Sequence, residues 1–389
     1  MSWKDDYAEA LMGSAPVPSA LLTHGNGSHV WDADGKRYLD FLAGIAVNSL
    51  GHAHPVLIEA LTRQASKLVH ISNLFASEPQ IELAERLKRI TGAGEQGRVF
   101  FGNSGAEAIE AAIKLARRNG QHKTILALNN SFHGRTMGSV SLTGKPALRE
   151  AFEPLVPGIL HIDSTIEALE AAVSDNVSAL VVEPIKGEAG VIDLPDGYLQ
   201  AARELTTKHD ALLIIDEIQT GAGRTGSWFA FQQHGIIPDA IAIAKGIGGG
   251  VPIGALVTFG AASELFLKGQ HGSTFGGNPL ATAASNAVLG EIERAGLVEN
   301  AALRGAELRE KIAALNHPLI SELRGAGLLI GIGLPQPKAN ELAAAALERG
   351  LIINAPNESS IRLAPPLIIG DDEIAEFMTI FTEALEAIQ

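Results

Sequence analysis

Six short apolar runs recur along the chain: RVFF at 98–101, TILAL at 124–128, SALVV at 178–182, ALLII at 211–215, DAIAIA at 239–244 and GALVTF at 254–259. They are rich in β-branched residues and scarcely alternate with polar ones, the pattern of strands buried on both faces. Helical patterns fill the intervals, so the chain predicts an α/β fold with a mostly parallel sheet covered by helices. Near the start, VWDADGKRYLDF sets an Asp-Gly turn between two β-like runs and predicts a hairpin. From His54 to Ile90 the pattern is helical, with Pro55 and the Glu78-Pro79 pair at helix starts. After Pro279 come a long Ala/Leu-rich helical stretch, LRGAGLLIGIGL, a helix near 339–349, IRLAPPLII, and a last helix from Asp371. These elements predict a smaller α+β lobe. The expected division is an N-terminal segment over 1–50 that joins the small domain, a large domain over 51–280 and a small domain over 281–389.

Composition narrows the class. A chain of 389 residues exceeds the usual size of a single core, in line with two lobes. A hydrophobic content of 46% with 19% charged residues describes a well-buried globular enzyme. The net charge of −14, with no Lys/Arg-rich block, argues against a nucleic-acid partner. Without cysteine there is neither a disulfide framework nor a thiolate metal site. No apolar leader or membrane-length stretch is evident, so a soluble, cytoplasmic protein is expected.

Candidate chemistry gathers where the apolar runs end. ALLIIDEIQTG delivers Asp216 to the end of one strand, and DAIAIAKGIGG delivers Lys245 to the end of another. Ligands of open α/β sheets collect at that edge. A salt bridge between the two would explain the pair. So would pyridoxal phosphate, which needs an acid facing its pyridinium nitrogen and a lysine holding its aldehyde. In RVFFGNSGAEAIEAAIKLARR, Ser104 and Glu107 have capping-box spacing, which leaves the amides of Gly105 and Ala106 free to bind a phosphate. The plain alternative is an ordinary capped helix. In NNSFHGRTMGSVSLTG, Phe132 could stack on a planar group and Arg135 could grip a carboxylate; core packing and a surface ion pair are the alternatives, and His133 fits a core histidine. Glu183 and Glu188 in VVEPIKGEAGV could pair with Arg362 of IRLAPPLII. GAGRTG at 221–226 matches a dinucleotide fingerprint by letter, but DEIQT separates it from the strand and no phosphate-binding helix follows. His52 and His54 lack the further ligands a metal site needs.

Taken together, GIAVNSLGHAHP, FFGNSGAEA, FHGRTMGSVSLTG, VEPIKGEAGV, DEIQTGAGRTG, AKGIGGGVPIGA, HGSTFGGNPL and IRLAPPLI resemble, in order, the class III pyridoxal-phosphate aminotransferases of fold type I. The resemblance runs from about residue 30 to about residue 370. It implies that Lys245 holds the cofactor and moves the proton, and that Asp216 pairs with the ring nitrogen. Gln219 would lie near the ring hydroxyl, Ile218 and Phe132 against the two ring faces, and Gly105 and Ala106 at the phosphate. Thr274 would reach the phosphate of the neighbouring subunit in a homodimer with shared sites. Ser273 would stand beside the substrate, Arg135 would take the donor carboxylate, and Arg362 that of 2-oxoglutarate, with Glu188 as its resting partner. The implied reaction passes the terminal amine of N2-acetylornithine to 2-oxoglutarate. Ala106 departs from the threonine of many relatives, and FLAGIAVN has small residues where ornithine-specific members place a tyrosine, which favours the acylated donor. Succinyldiaminopimelate, acetyl-lysine, ornithine and 4-aminobutyrate are the alternative donors. An aminomutase or racemase on the same fold, and a nucleotide-binding module built on GAGRTG, are rivals of other kinds.

Overall fold

The computed structural model describes residues 2–120 and 124–388. Its centre is a seven-stranded sheet ordered 98–102, 254–258, 240–243, 212–216, 177–182, 124–128 and 159–162. Four adjacent pairs are parallel. The strand Gly254–Thr258 runs antiparallel to both its neighbours. Its link to Ala240–Ile243 is a glycine-rich loop without a crossover helix, so the chain reverses direction there. The sheet is therefore mostly parallel, as the apolar runs predict. All residues of the strands at 177–182, 212–216, 240–243 and 254–258 are buried, which explains why these runs show no polar alternation.

Two smaller sheets complete the fold. The hairpin His29–Asp32 with Arg37–Asp40 pairs on one side with Leu22–Asn26 and on the other with Leu351–Ile352. A segment from the start of the chain thus shares a sheet with one from near its end. A four-stranded antiparallel sheet holds Glu322–Ala326, Leu329–Gly333, Ser360–Leu363 and Asn354–Asn357. The strand at 360–363 stops before Pro365 and Pro366, which have no amide to continue a ladder. The helical stretch after Pro279 is two helices, Pro279–Arg294 and Leu297–Ala314, broken at Gly296 with φ of 63°. Among the described residues no helix is long and apolar enough to cross a membrane.

GAGRTG forms consecutive turns and no strand-turn-helix unit. Its glycines serve packing: a Cβ on Gly226 would lie 2.9 Å from Ala302 Cβ. Arg224 is 2% exposed and has no ion pair among the described residues; its guanidinium donates to the carbonyls of Leu328 (3.2 Å) and Pro365. Burial lowers its pKa to about 9. The motif thereby joins the segment after Asp216 to the strands around Arg362.

Candidate active site

The strands at 98–102, 177–182, 212–216 and 240–243 point the same way, so the residues after their carboxyl ends share one edge of the sheet. Asn103–Ala106, Glu183, Asp216 and Lys245 all line one cavity of about 350 Å³ at that edge. Phe132, Ile218, Gln219 and Glu188 line it too.

Lys245 follows Ala244 directly after its strand and has φ of +49°, a left-handed conformation that strains a non-glycine residue by ~1–3 kcal/mol. Burial lowers its pKa, with the Arg362 charge acting the same way and Glu188 and Asp216 opposing. No hydrogen bond or ion pair engages its Nζ among the described residues. Asp216 does not pair with it. Asp216 Oδ2 instead lies 2.7 Å from His133 Nδ1, and Oδ1 accepts from the amide of Ile218 at 3.0 Å. Burial alone would lower the pKa of His133, but the bond and charge of Asp216, with Glu183, outweigh it and hold His133 above its ordinary value. His133, which the sequence allows as a core histidine, is thus tied to the site.

The helix Gly105–Arg118 opens on the cavity. Ser104 Oγ accepts from the amide of Glu107 at 3.2 Å, the first half of a capping box. The second half differs from expectation: Glu107 Oε2 accepts from the amide and side chain of Asn103, both at 2.8 Å, one residue further back. Neither the Gly105 nor the Ala106 amide finds an acceptor among the described residues. Close approaches hold this turn in place. A Cβ on Gly105 would lie 2.8 Å from Ile218 Cδ1, and one on Gly254 only 2.1 Å from the Ser104 carbonyl.

Of the two glutamates open to Arg362, Glu188 is its partner. Arg362, 1% exposed, donates through Nη1 to Glu188 Oε1 and to Gln219 Oε1 (3.2 Å), and through Nε to Asn354 Oδ1 (3.0 Å). Its Nη2 is buried with no acceptor among the described residues. Burial opposes ionisation of Glu188, but Arg362 wins and holds its pKa below the ordinary value. Gln219 therefore directs its carbonyl at Arg362, and it packs so tightly on Gly187 that a Cβ there would lie 2.0 Å from Gln219 Oε1. Glu183 accepts from the Phe132 amide at 2.9 Å, and burial pushes its pKa up to about 7.

Three sequence candidates lie outside the cavity wall. Arg135 is exposed, its guanidinium 5.8 Å over the Phe132 ring. Ser273 Oγ accepts from the Gly276 amide (2.9 Å) and from the side chain of Asn103 (3.3 Å). Thr274 is exposed. Conversely, the lining residues Val47, Asn103 and Val251–Ile253 carry no chemical signature by which sequence could single them out. His52, one of the two histidines of GHAHP, pairs with Asp40 at 2.8 Å.

Next to Asp216, Glu217 points away from the cavity; it is 1% exposed and accepts from the Phe231 amide at 2.8 Å. Burial raises its pKa from 4.5 to about 7. A carboxyl whose folded pKa is raised keeps its proton in the native state where the unfolded chain has lost it. Stability then falls as pH rises from 4.5 to about 7, on the order of 3 kcal/mol for this group. Glu217→Gln removes that term. Its thermal midpoint is expected to match the parent near pH 4.5 and exceed it at pH 8; an equal difference at both pH values would contradict this.

These features suit pyridoxal phosphate. The cavity offers an unengaged amine, an acid braced by His133, apolar walls at Ile218 and Phe132, and a helix start with free amides for a phosphate. Comparison with known proteins agrees. The family described as Aminotransferase class-III matches residues 12–385. The chain is 51% identical over 382 residues to an acetylornithine aminotransferase of Mycobacterium leprae, covering 98% of this chain and 94% of that one. Among solved structures, the ornithine aminotransferase of Toxoplasma gondii superposes with a TM-score of 0.94 at 33% identity, over 100% of this chain and 96% of that one. The N-acetylornithine aminotransferase of Stenotrophomonas maltophilia gives a TM-score of 0.84 at 36% identity, over 95% and 96%. A family match over nearly the whole length, on a fold whose sheet edge holds the lysine and the acid, makes this chain a member of the class-III aminotransferases.

Proposed function

We propose that this pyridoxal-phosphate-dependent aminotransferase moves the terminal amino group of N2-acetyl-L-ornithine to 2-oxoglutarate. The products are N-acetyl-L-glutamate 5-semialdehyde and L-glutamate, and the reaction belongs to arginine biosynthesis. The likeness to the M. leprae acetylornithine enzyme over nearly the full length carries the choice of donor.

When bound, pyridoxal phosphate supplies an aldehyde carbon for amines and a ring that accepts the electron pair released beside it. Lys245 would hold that carbon, and the burial that lowers its pKa favours the neutral, nucleophilic amine. Freed when the donor amine binds, Lys245 Nζ would act as general base on the donor's terminal carbon and then as general acid, moving the proton to the far side of the intervening nitrogen. Asp216, braced by His133, keeps the ring nitrogen protonated. The amides of Gly105 and Ala106 hold the phosphate, and Ile218 and Phe132 hold the ring faces. Arg135 binds the donor's α-carboxylate, with Ser273 beside the substrate. In the second half-reaction Glu188 releases Arg362, which then takes a carboxylate of 2-oxoglutarate; its unmatched Nη2 is a donor waiting for one. Two half-reactions on one site give ping-pong kinetics.

The site is completed by a second copy of the chain, with Thr274 reaching the neighbour's phosphate. Leu74 (87% exposed), Phe75 (69%) and Phe275 (60%) form an uncovered apolar patch beside Thr274. Asn73 ties its two segments together by donating to the carbonyls of Ser273 (3.0 Å) and Gly276 (3.1 Å). Sedimentation of the active enzyme at monomer mass would exclude this assembly.

Free ornithine as donor is the second reading, favoured by the TM-score of 0.94 to the T. gondii ornithine enzyme. Steady-state kinetics with a panel of ω-amines and 2-oxoglutarate decide between them. The highest kcat/KM is expected for N2-acetylornithine; a higher value for ornithine or another amine overturns the donor assignment.

A further inference from the structure

The segment that carries Arg135 is irregular from Ser131 to Thr136 before the short helix Met137–Leu142 begins. Thr136 stands at the N-cap of that helix without making a side-chain cap bond. The capping comes from elsewhere. Glu110, on the helix Gly105–Arg118, accepts at one oxygen, Oε1, from Thr136 Oγ1 (2.5 Å), the Gly138 amide (2.8 Å) and the Ser139 amide (3.3 Å). An anionic acceptor suits the unpaired amides of a helix start. The fit leaves no slack: a Cβ on Gly138 would lie 2.2 Å from Glu110 Oε2. On the other side of Arg135, Gly134 has φ of +133°, and a Cβ there would lie 2.6 Å from Ser139 Oγ and 3.1 Å from Ala106 Cβ.

Arg135 is therefore flanked by two anchored residues, Gly134 against Ala106 and Thr136 on Glu110. Both anchors belong to the same helix, where positions 106 and 110 share a face. Arg135 itself has no ion pair among the described residues, only the Phe132 ring below it. What the structure fixes around Arg135 is the backbone on either side of it, which Glu110 holds through Thr136, Gly138 and Ser139.

We propose that Glu110 is a positioning residue that aims Arg135 at the donor's α-carboxylate, so that one helix orders both the phosphate site at its first turn and the carboxylate site one turn later. This rests on the reading of Arg135 as the carboxylate-binding arginine. Glu110 does not line the cavity, and its carboxylate acts through Thr136, Gly138 and Ser139.

The test follows the first half-reaction of the holoenzyme by the bleaching of its cofactor absorbance. Two amines are compared: N2-acetylornithine, and N-acetylputrescine, the same molecule without the α-carboxylate. Glu110→Ala is expected to raise the half-saturating concentration of N2-acetylornithine roughly tenfold, and that of N-acetylputrescine by less than about twofold. Glu110→Gln keeps an oxygen at Oε1 and is expected to recover most of the loss. Thr136→Val removes one donor only and is expected to show the same selectivity in smaller degree, including where Glu110→Ala fails to fold. Equal rises for both amines, or none, overturn the proposal. Arg135→Gln is the control. If it weakens N2-acetylornithine no more than N-acetylputrescine, the reading of Arg135 has failed; if it discriminates while the Glu110 and Thr136 variants do not, only the positioning role falls. Should another ω-amino acid prove the better donor, that amine and its decarboxylated counterpart take the same two places.

Discussion

Replacing Lys245 by alanine is expected to lower kcat by roughly 10⁴-fold, the upper range for loss of a general acid–base group, with the added loss of the amine that holds the cofactor. Among the described residues the cavity wall contains no second lysine. The nearby Lys145, which donates to the carbonyl of Glu188, is already engaged and does not line the cavity. The effect should be chemical and not structural. Burial lowers the pKa of Lys245, so its ammonium form contributes nothing favourable to folding, and no hydrogen bond is lost with it. The thermal midpoint of the apo-variant should therefore equal or exceed that of the parent, while glutamate formation from 2-oxoglutarate disappears. Methylamine, small enough to enter the space the side chain leaves, should restore part of the rate. A Lys245→Ala enzyme with more than about a hundredth of parental kcat would remove this residue from the role assigned to it.

Asp216→Asn is expected to cost roughly 10²- to 10³-fold in kcat with little change in the shape of the site. The substitution keeps the side-chain volume and the oxygen that accepts from Ile218, but it removes the negative charge. Two consequences follow from that charge. The ring nitrogen of the cofactor loses the partner that keeps it protonated, which weakens the electron sink. His133 loses the bond and charge that hold its pKa above the ordinary value against burial. The sign of the stability effect is then fixed. A histidine whose folded pKa is raised contributes stability below its unfolded value near 6.5, and that contribution is lost as pH rises through the folded pKa. The stability gap between parent and Asp216→Asn should be widest below pH 6.5 and close at higher pH. A gap that stays constant across this range would show that the Asp216–His133 pair is not the source. Unchanged kcat would show that the acid does not serve the ring.

How much of this site could be read from the chain depends on how local each feature is. The strands at 177–182, 212–216, 240–243 and 254–258 follow from runs of residues that tolerate burial on both faces, and burial is complete in all four. The Ser104 cap is a matter of residues three apart, and it forms. Its return bond misses by one residue because the glutamate reaches whichever amide the turn presents, and here that belongs to Asn103. The reversed strand at 254–258 could not be read from composition, since an apolar run has no direction until its connection is known. GAGRTG shows the converse, a motif whose letters suggest a ligand and whose fold makes it a packed brace around Arg224.

Asp216 and Lys245 are where the two sources divide. The sequence by itself determined that an acid and an amine end two buried strands, because hydrophobic runs and their abrupt polar ends are encoded residue by residue. It also determined family and cofactor, through motifs in a characteristic order. Only the tertiary structure decided whom each residue faces. It gave Asp216 to His133, 83 residues earlier, brought the Gln219 carbonyl to Arg362, and left Lys245 unengaged. Such pairings depend on side-chain directions within a few ångströms between segments distant in sequence, and no local pattern carries that information. The close packing of the sheet edge sets it, at positions such as Gly105, Gly187 and Gly254 where even one added carbon would collide.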